Sequence, residues 1–380
     1  MNYNFDEIID RNNTHSMKWG KYQDRDILPM WVADMDFKAP PPVLKALEQV
    51  ISHGILGYTH VPDTLSGIVT KRLMRLYGWQ VEPESILWTP GVVSALNGAC
   101  RAFGTRQERI VTTTPIYPPF LSVSDSCGKD LVTLPMTEIQ NRSTLDFPGL
   151  ERTFQEGAAL FLFCSPYNPC STLFTREEIL ELTELCTQYK VILCSDEIHS
   201  DFVLDPENVH IPTASVSPEA GARTVTLMAP SKTFNIPGLG CSFVVIEDPI
   251  LRDRFRSALK GLVPDVNLMG FAAARAAYEE CDDWLEQLIA YLRGNRDMVM
   301  ERVGQMPGCR INPVKATYLA WIDVRDTGLD DPVKFFEDNG VGLSDGKFFG
   351  KEGFVRLNFG CPRSTLVEGL NRMERALKTI

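Results

Sequence analysis

Residues 158–197 read AALFLFCSPYNPCSTLFTREEILELTELCTQYKVILCSDE, and the fold class follows from this stretch. It opens with the apolar run 158–164 and closes with a second run, 191–194, each as long as a buried strand. Between the runs, Thr175 and Glu178 have the spacing of a capping box, which predicts the start of a helix. Strand, helix and strand form a βαβ unit, so we expect an α/β protein with a mainly parallel central sheet flanked by helices.

Polar residues stand where the strands of this unit end. Asn168 lies in the turn after the first run, and Asp196 follows the second. A third strand-like run, 224–227, leads into a Ser/Pro/Gly-rich bend that carries Lys232. Because ligands of open α/β sheets bind beyond the carboxyl ends of the strands, we expect these three residues to converge on one rim.

Lys232 is the candidate nucleophile of that rim. A single lysine in a turn is more commonly a solvent-exposed side chain. At the end of a buried strand, however, desolvation lowers the pKa of the amine, and the neutral amine can attack a carbonyl to form a Schiff base. The residues that accompany Lys232 favour this second interpretation.

These residues supply what a pyridoxal phosphate site needs. Asp196 can pair with the protonated pyridine nitrogen, although a loop or helix-capping aspartate has the same sequence pattern. Asn168 can donate to the ring oxygen, although alone it is only a turn residue. The amides of Gly91, Val92 and Val93 open a helix of small residues and can hold the phosphate, but a glycine before a helix is common.

Two further side chains complete the candidate cofactor site. Ser231, next to the lysine, can add a hydroxyl to the phosphate. Tyr117 follows the strand-like run 110–113, and its ring can stack on the pyridine, although a tyrosine between prolines is often simply packed.

Composition excludes several other classes of protein. The 380 residues are 44% hydrophobic, enough for a large core and more than one folding unit. A formal charge of -11 and a pI near 5.1, without a dense Lys/Arg run, argue against a nucleic-acid partner. The first residues lack the pattern of a secretory signal, and prolines and glycines interrupt the apolar stretch 224–246, so we expect a cytoplasmic protein with no membrane partner. The ten cysteines have neither zinc-site spacing nor the pattern of a disulfide framework, and no metal site is expected.

The sequence after residue 261 differs in pattern from the βαβ region. Long helical patterns with interspersed charge are followed by short strand-like runs and a last helix. We expect a large α/β domain at 43–284 and a smaller α+β domain formed by 1–42 and 285–380. The proline run 40–42 is a candidate hinge between them, because proline stops a helix and keeps the chain extended.

A series of motifs runs in order through nearly the whole chain. They are MWVADMDF (30–37), GYTH (57–60), PIYPPF (115–120), SPYNP (165–169), DEIH (196–199), SKTFN (231–235) and VRLNF (355–359). Together they resemble the fold-type I pyridoxal phosphate enzymes and, more narrowly, the aminotransferase-like carbon–sulfur β-lyases, a group that contains cystathionine β-lyases and a maltose-regulon modulator. The resemblance implies the fold-type I architecture, with a mainly parallel central sheet and a smaller α+β domain.

The resemblance also implies roles for individual residues around the cofactor. Lys232 would form the aldimine with pyridoxal phosphate and act in catalysis, while Asp196 would meet the ring nitrogen and Asn168 the ring oxygen. Tyr117 would stack on the ring. Tyr58 would reach the phosphate bound by a partner subunit, which implies a homodimer with a shared active site.

At the substrate, the resemblance implies that Arg356 binds the α-carboxylate, with Ala33 and Asn168 beside it. Chemistry agrees, because a guanidinium can bind a carboxylate through two hydrogen bonds. Without the resemblance, Arg356 is equally well interpreted as a surface arginine on a strand.

Two positions depart from the pattern of many aminotransferases of this fold. His199 stands where a tyrosine is usual, and Gly240 stands where an arginine binds phosphate. Phosphate binding should therefore depend more on backbone amides and Tyr58. No role in proton transfer is assigned to His199, which can simply be a satisfied buried histidine.

The DEIH form is similar to the lyase branch, so we expect α,β-elimination. L-cystathionine or a related L-cysteine S-conjugate would be cleaved to a thiol, pyruvate and ammonia. Transamination of an L-amino acid uses the same residues and stays an alternative. A regulatory role through binding a transcription regulator is an alternative of another class.

Overall fold

The structure, a computed structural model, describes residues 2–103 and 109–380. Its α-helices are α1 (Met17–Gly20), α2 (Pro41–His53), α3 (Leu65–Tyr77), α4 (Val92–Ala102), α5 (Pro118–Cys127), α6 (Phe147–Gln155), α7 (Arg176–Gln188), α8 (Pro218–Gly221), α9 (Pro230–Thr233), α10 (Pro249–Leu259), α11 (Leu268–Glu280), α12 (Asp282–Gln305), α13 (Pro332–Asp338) and α14 (Arg363–Leu377). Its strands are β1 (Leu28–Pro29), β2 (Ile86–Thr89), β3 (Arg109–Thr114), β4 (Leu131–Pro135), β5 (Thr137–Ile139), β6 (Arg142–Thr144), β7 (Ala158–Cys164), β8 (Ile192–Asp196), β9 (Thr224–Met228), β10 (Ser242–Val245), β11 (Arg310–Ile311), β12 (Leu319–Asp323), β13 (Val341–Gly342), β14 (Ser344–Asp345) and β15 (Phe354–Asn358).

The central sheet has seven strands in the order β2-β10-β9-β8-β7-β3-β4. Strand β10 runs antiparallel to β2 and β9, and the other six strands share one direction. Helix α4 packs against β8, β9 and β10, while α6 and α7 pack against β7 and β8. The predicted α/β fold with a mainly parallel sheet is therefore confirmed.

The βαβ unit has the predicted structure. Strands β7 and β8 pair in parallel, with Cys164 opposite Asp196 at the end of the ladder. Helix α7 begins with a complete capping box, in which the Thr175 hydroxyl accepts from the Glu178 amide and the Glu178 carboxylate accepts from the Thr175 amide. These bonds satisfy donors that the first helical turn cannot pair internally, so the helix starts at a defined residue.

A second sheet lies in the C-terminal part of the chain. It is antiparallel, with the order β11-β12-β15-β14. Strand β1 pairs in parallel with β13, which joins the N-terminal segment to this part of the protein. The domain boundaries at 42 and 284 stay a prediction.

The proline run 40–42 does not form the extended connection expected from the sequence. Pro41 is the first residue of α2, and Pro40 is its N-cap. A proline is compatible with the first helical turn because the amide that it lacks would have no helical acceptor there. The run therefore begins a helix.

Three further observations concern the described residues. No helix among them is long and apolar enough to cross a membrane. Within the same ranges, no group of three or more His, Cys, Asp or Glu side chains is placed to hold a metal ion. All ten cysteines are free thiols, and nine of them are buried.

Candidate active site

Five strands of the central sheet that run in the same direction each end at or just before a predicted site residue. These residues therefore lie at the same edge of the sheet. Gly91 follows β2, Tyr117 follows β3 and Asn168 follows β7. Asp196 is the last residue of β8, and Lys232 lies four residues beyond the end of β9. Carboxyl ends of parallel strands meet at one edge, so the topology brings together residues that are up to 141 positions apart.

Lys232 lies in the short helix α9 and is partly accessible at this edge. Its Nζ donates to the Ala33 carbonyl at 2.6 Å. Desolvation lowers the pKa of the amine to about 8; the nearby Arg356 lowers it further, and the carboxylates of Asp34 and Asp196 act in the opposite direction. The amine is therefore much closer to neutrality at physiological pH than an ordinary lysine.

Asp196 is only 4% exposed. One carboxylate oxygen accepts from the Ile198 amide at 3.1 Å, and among the described residues the other has no hydrogen-bond donor. Burial raises the pKa of the carboxyl group to about 7, and the charge of Glu197 adds to the effect. A carboxylate in this state is stabilised by a cation, as the protonated nitrogen of a pyridine ring would be.

Arg356 is buried on β15, which removes the alternative of a surface arginine. Its guanidinium donates to Asn168 Oδ1 at 2.8 Å and to the Trp31 carbonyl at 2.8 Å, and it lies 4.7 Å from the centre of the Phe349 ring. Burial lowers the pKa of Arg356 to about 10. The hydrogen bond with Arg356 occupies the amide oxygen of Asn168, so the amide nitrogen is left to donate to a ligand.

The backbone amides predicted to bind the phosphate, those of Gly91, Val92 and Val93, lie at the start of α4 and are called the phosphate cradle here. Gly91 is the N-cap, and the amides that follow, of Val92 and Val93, belong to the first turn, where helices leave donors unpaired. Gly240 lies close by, because a Cβ at this residue would stand 3.1 Å from the Pro90 carbonyl oxygen. A side chain at this position would crowd the Pro90 carbonyl, next to the N-cap Gly91.

The remaining predicted residues differ in how the structure places them. Tyr117 is the N-cap of α5, is half-buried and carries a pKa raised mainly by burial, with Arg356 and Asp196 acting on it electrostatically. Ser231, beside Lys232 in α9, is partly exposed. Tyr58 is fully exposed between α2 and α3, so a single chain does not bring it to the site.

Two residues without a predicted role hold the segment that carries Ala33. The Tyr318 hydroxyl donates to the Ala33 carbonyl at 3.0 Å. The side-chain amide of Asn358 donates through Nδ2 to the Val32 and Asp34 carbonyls at 2.6 and 2.7 Å. Asn358 stands two residues after the buried arginine, so strand alternation could have placed it on the same side of β15. Nothing in the local sequence marks Tyr318.

His199 is 2% exposed, and its ring packs against Tyr318 at 5.8 Å between centroids. Burial lowers the pKa of the imidazole to about 3, and the charges of Lys232 and Arg356 act in the same direction. The ring is therefore neutral at physiological pH, and its Nδ1 has no hydrogen-bond partner among the described residues.

A cleft of about 860 Å³ opens beside these residues, with Trp31, Tyr117, Phe349 and Arg356 in its wall. Pockets of this size bind small molecules, and an aromatic wall that contains the Arg356 guanidinium suits an amino acid. The residues present fit pyridoxal phosphate: a desolvated amine, a buried carboxylate with one oxygen that has no donor among the described residues, an amide donor and a helix N-terminus stand along one edge.

Comparison with known proteins agrees with this geometry. The family model for aminotransferase class I and II matches residues 25–373. The chain belongs to the aminotransferase class I and II family.

Several known proteins match this chain over their full length. Cystathionine beta-lyase PatB of Bacillus subtilis (strain 168) is 37% identical to it over 98% of this chain and 100% of the relative. The crystal structure of OvoB matches with a TM-score of 0.97 at 43% identity, and that of cystalysin from Treponema denticola, which contains a pyridoxal 5'-phosphate cofactor, with 0.94 at 30%. Both structural matches cover 100% of this chain and 100% of the other. The fold is that of the fold-type I pyridoxal phosphate enzymes.

Proposed function

We propose that the protein is a pyridoxal phosphate-dependent carbon–sulfur β-lyase. It cleaves L-cystathionine or a related L-cysteine S-conjugate to a thiol, pyruvate and ammonia. The proposal is carried by one observation, the placement of the desolvated Lys232 amine and the buried Arg356 guanidinium on one rim. Full-length relatives that are named cystathionine beta-lyase support the choice of carbon–sulfur bond.

Each predicted residue has a task in this reaction. Pyridoxal phosphate, when bound, supplies an electron sink for the α-carbon of an amino acid. Lys232 would hold the cofactor and, once released, take the proton from Cα, for which its lowered pKa suits it. Asp196 would keep the pyridine nitrogen protonated, and Asn168 would donate to the ring oxygen.

Substrate orientation would depend on the guanidinium of Arg356. Its partners Asn168 and Trp31 fix the plane of the group, so the substrate carboxylate is bound in one orientation. This orientation would turn Cα towards the Lys232 amine, whose pKa the nearby Arg356 affects, and the Cβ substituent into the cleft. The electron pair of the Cα–H bond would then expel the thiolate from Cβ, and water would hydrolyse the released 2-aminoacrylate to pyruvate and ammonia.

An assay without an amino-group acceptor tests the proposal. Purified protein loaded with pyridoxal phosphate is given L-cystathionine and no 2-oxo acid, and pyruvate and free thiol are measured. We expect both products, and we expect Lys232→Ala to form neither. Lys378→Ala, which changes an exposed lysine after α14, is the matched control and should keep full activity.

Transamination is a second candidate, because the matching family model is named for aminotransferases. It would pass the amino group of the substrate to a 2-oxo acid and leave the Cβ–S bond intact. Product that forms only after a 2-oxo acid is added would overturn the lyase proposal in favour of this activity.

A homodimer with a shared active site is part of the proposal. The segment between α2 and α3 exposes Ile55, Leu56 and the whole of Tyr58, although large apolar side chains are costly to leave in water. A second copy of the chain would cover them and would receive Tyr58 at its phosphate. The cytoplasmic location and a regulatory binding role stay predictions from the sequence.

A further inference from the structure

Glu197 and His210 form a buried pair behind Asp196 that the proposed reaction does not use. His210 Nε2 lies 2.8 Å from Glu197 Oε2, and both residues are almost inaccessible to solvent. The other carboxylate oxygen accepts from the Thr213 amide at 2.8 Å and from the Ser195 hydroxyl at 2.9 Å. Three donors from two chain segments therefore hold one buried carboxylate.

The pair is joined to Asp196 through the backbone at the end of β8. Because side chains alternate along a strand, Ser195 and Glu197 lie on one side and Asp196 points to the other. The Glu197 amide donates to the Leu227 carbonyl at 2.8 Å on β9, the strand that leads to Lys232. Anchors on one side of the strand end therefore fix the direction of the carboxylate on the other.

Burying the Glu197 carboxylate costs free energy of desolvation, so stability alone does not explain its presence. A buried carboxylate loses its hydration, a cost that apolar side chains of similar volume would avoid. The Glu197 charge also raises the pKa of Asp196, which disfavours its ionised form in the absence of a ligand. A second negative charge becomes favourable when a cation binds beside Asp196, since two carboxylates attract it more strongly than one.

We propose that Glu197, held by His210, is a positioning residue for the cofactor. It fixes the direction of Asp196, and its charge helps to keep the pyridine nitrogen protonated. The inference rests on the cofactor of the proposed function and is independent of carbon–sulfur cleavage.

Other titratable groups surround the pair. The Tyr77 ring on α3 meets the His210 ring at 5.6 Å, and its hydroxyl lies 3.4 Å from Asp201, which pairs with Arg72. Cys164 on β7 is close enough for the charges of Asp196 and Glu197 to act on it. Burial raises the pKa of both Tyr77 and Cys164 well above the ordinary values, so both are neutral near pH 7. They do not change the charge of the pair in that range.

Glu197→Gln tests the inference in cofactor-loaded protein without substrate. Glutamine keeps the shape and an acceptor for Thr213 but carries no charge. The visible absorbance of the bound cofactor is followed as the pH is changed, and we expect the midpoint of this titration to fall by about one pH unit. We also expect the cofactor to be released about tenfold faster, as for the loss of one charge-assisted interaction. Glu178→Gln is the matched control: it removes the charge of a carboxylate on α7 that pairs with Arg142, away from Asp196, and should change neither value.

A second variant covers the case in which Glu197→Gln does not fold. His210→Ala leaves one carboxylate oxygen of Glu197 buried without its hydrogen-bond partner, so the carboxylate is held less firmly behind Asp196. The midpoint should therefore move in the same direction. Unchanged midpoints and release rates in both folded variants, whatever their thermal stability, would overturn the inference. Because no substrate is added, a failure of the lyase assay would leave these results intact.

Discussion

Arg356 is a buried cation whose hydrogen-bonding groups are only partly used. The two terminal nitrogens each have a protein partner at 2.8 Å, the Asn168 side chain and the Trp31 carbonyl. Nε has no partner among the described residues, so the guanidinium is held in place with donor capacity left over. Binding of a carboxylate therefore depends on the shape of the group as well as on its charge.

Arg356→Lys separates shape from charge. Lysine keeps the positive charge but lacks the planar fork, so it cannot hold Asn168, Trp31 and a carboxylate together. We expect the KM for L-cystathionine to rise roughly 10- to 100-fold, as for the loss of a hydrogen bond to a charged group, with a smaller change in kcat. Steady-state kinetics check this, with Arg325→Lys in an exposed ion pair as control. An unchanged KM would contradict the assignment.

The Lys232 amine predicts how cofactor uptake depends on pH. Its pKa is lowered to about 8, so the amine is protonated below that pH and neutral above it. Only the neutral amine attacks the aldehyde, so the uptake rate of the cofactor-free protein should rise about tenfold per unit below the pKa and level off above it. Stopped-flow absorbance measures the rate, and Lys232→Ala gives the baseline. A rate that does not change between about pH 7 and 9 would show the assignment to be wrong.

At the level of elements, α4 depends on one unusual backbone conformation. Gly91, its N-cap, has φ 154° and ψ 152°, a region that only glycine adopts readily. A Cβ at this position would meet no atom within 4 Å, so the requirement concerns conformation and not space. The helix N-terminus is directed at the rim only because the chain can turn in this way before α4.

Gly91→Ala should therefore disturb the phosphate cradle. We expect a loss of about 1–3 kcal/mol in the free energy of unfolding and weaker retention of pyridoxal phosphate. Gly304→Ala is the control, because Gly304 lies within α12, where a Cβ would meet no atom within 4 Å and alanine favours the helix. Thermal unfolding and cofactor dissociation of both variants give the comparison. Equal cofactor retention in the two would contradict the role of the α4 start.

Most elements around the site could be predicted from local sequence. The run 158–164 is strand β7 without any change of bounds, and the predicted last helix is Arg363–Leu377. Buried strands and capped helices are encoded by neighbouring residues, which explains this agreement. The extended conformation predicted for the proline run 40–42 is wrong, because prolines that stop one helix also begin another.

At the scale of the whole molecule, Tyr58 decides whether the site needs two chains. Its side chain is fully exposed in one chain, and the motif resemblance assigns it to a partner's phosphate. If this assignment holds, each site takes Lys232 from one subunit and Tyr58 from the other. A dimer formed by two different variants can then contain one site that is free of both changes.

Subunit mixing tests this arrangement. Lys232→Ala and Tyr58→Ala homodimers should both be impaired, the first completely and the second through weaker cofactor binding. Mixed dimers should regain activity close to half of the wild-type value, because one of their two sites has both native residues. Tag-selected mixed dimers are assayed with L-cystathionine. Failure to regain activity would mean that Tyr58 acts within its own chain.

Local sequence was sufficient for the fold class and for the residues that follow each strand. Apolar runs and capping patterns identify the strands, and a shared strand direction then places Asn168, Asp196 and Lys232 on one edge. The motif order added the cofactor and the reaction class. These inferences depend on neighbouring residues or on chain order, which a single sequence contains.

Contacts between distant residues required the assembled fold. The Ala33 carbonyl meets Lys232 and Tyr318 from positions 199 and 285 residues away, and the Arg356 guanidinium meets Asn168 across 188 residues. No local pattern encodes such distances, because they are set by how the two sheets and the N-terminal segment pack together. The same packing desolvates the amine at position 232, and desolvation gives the amine its reactive, partly neutral state.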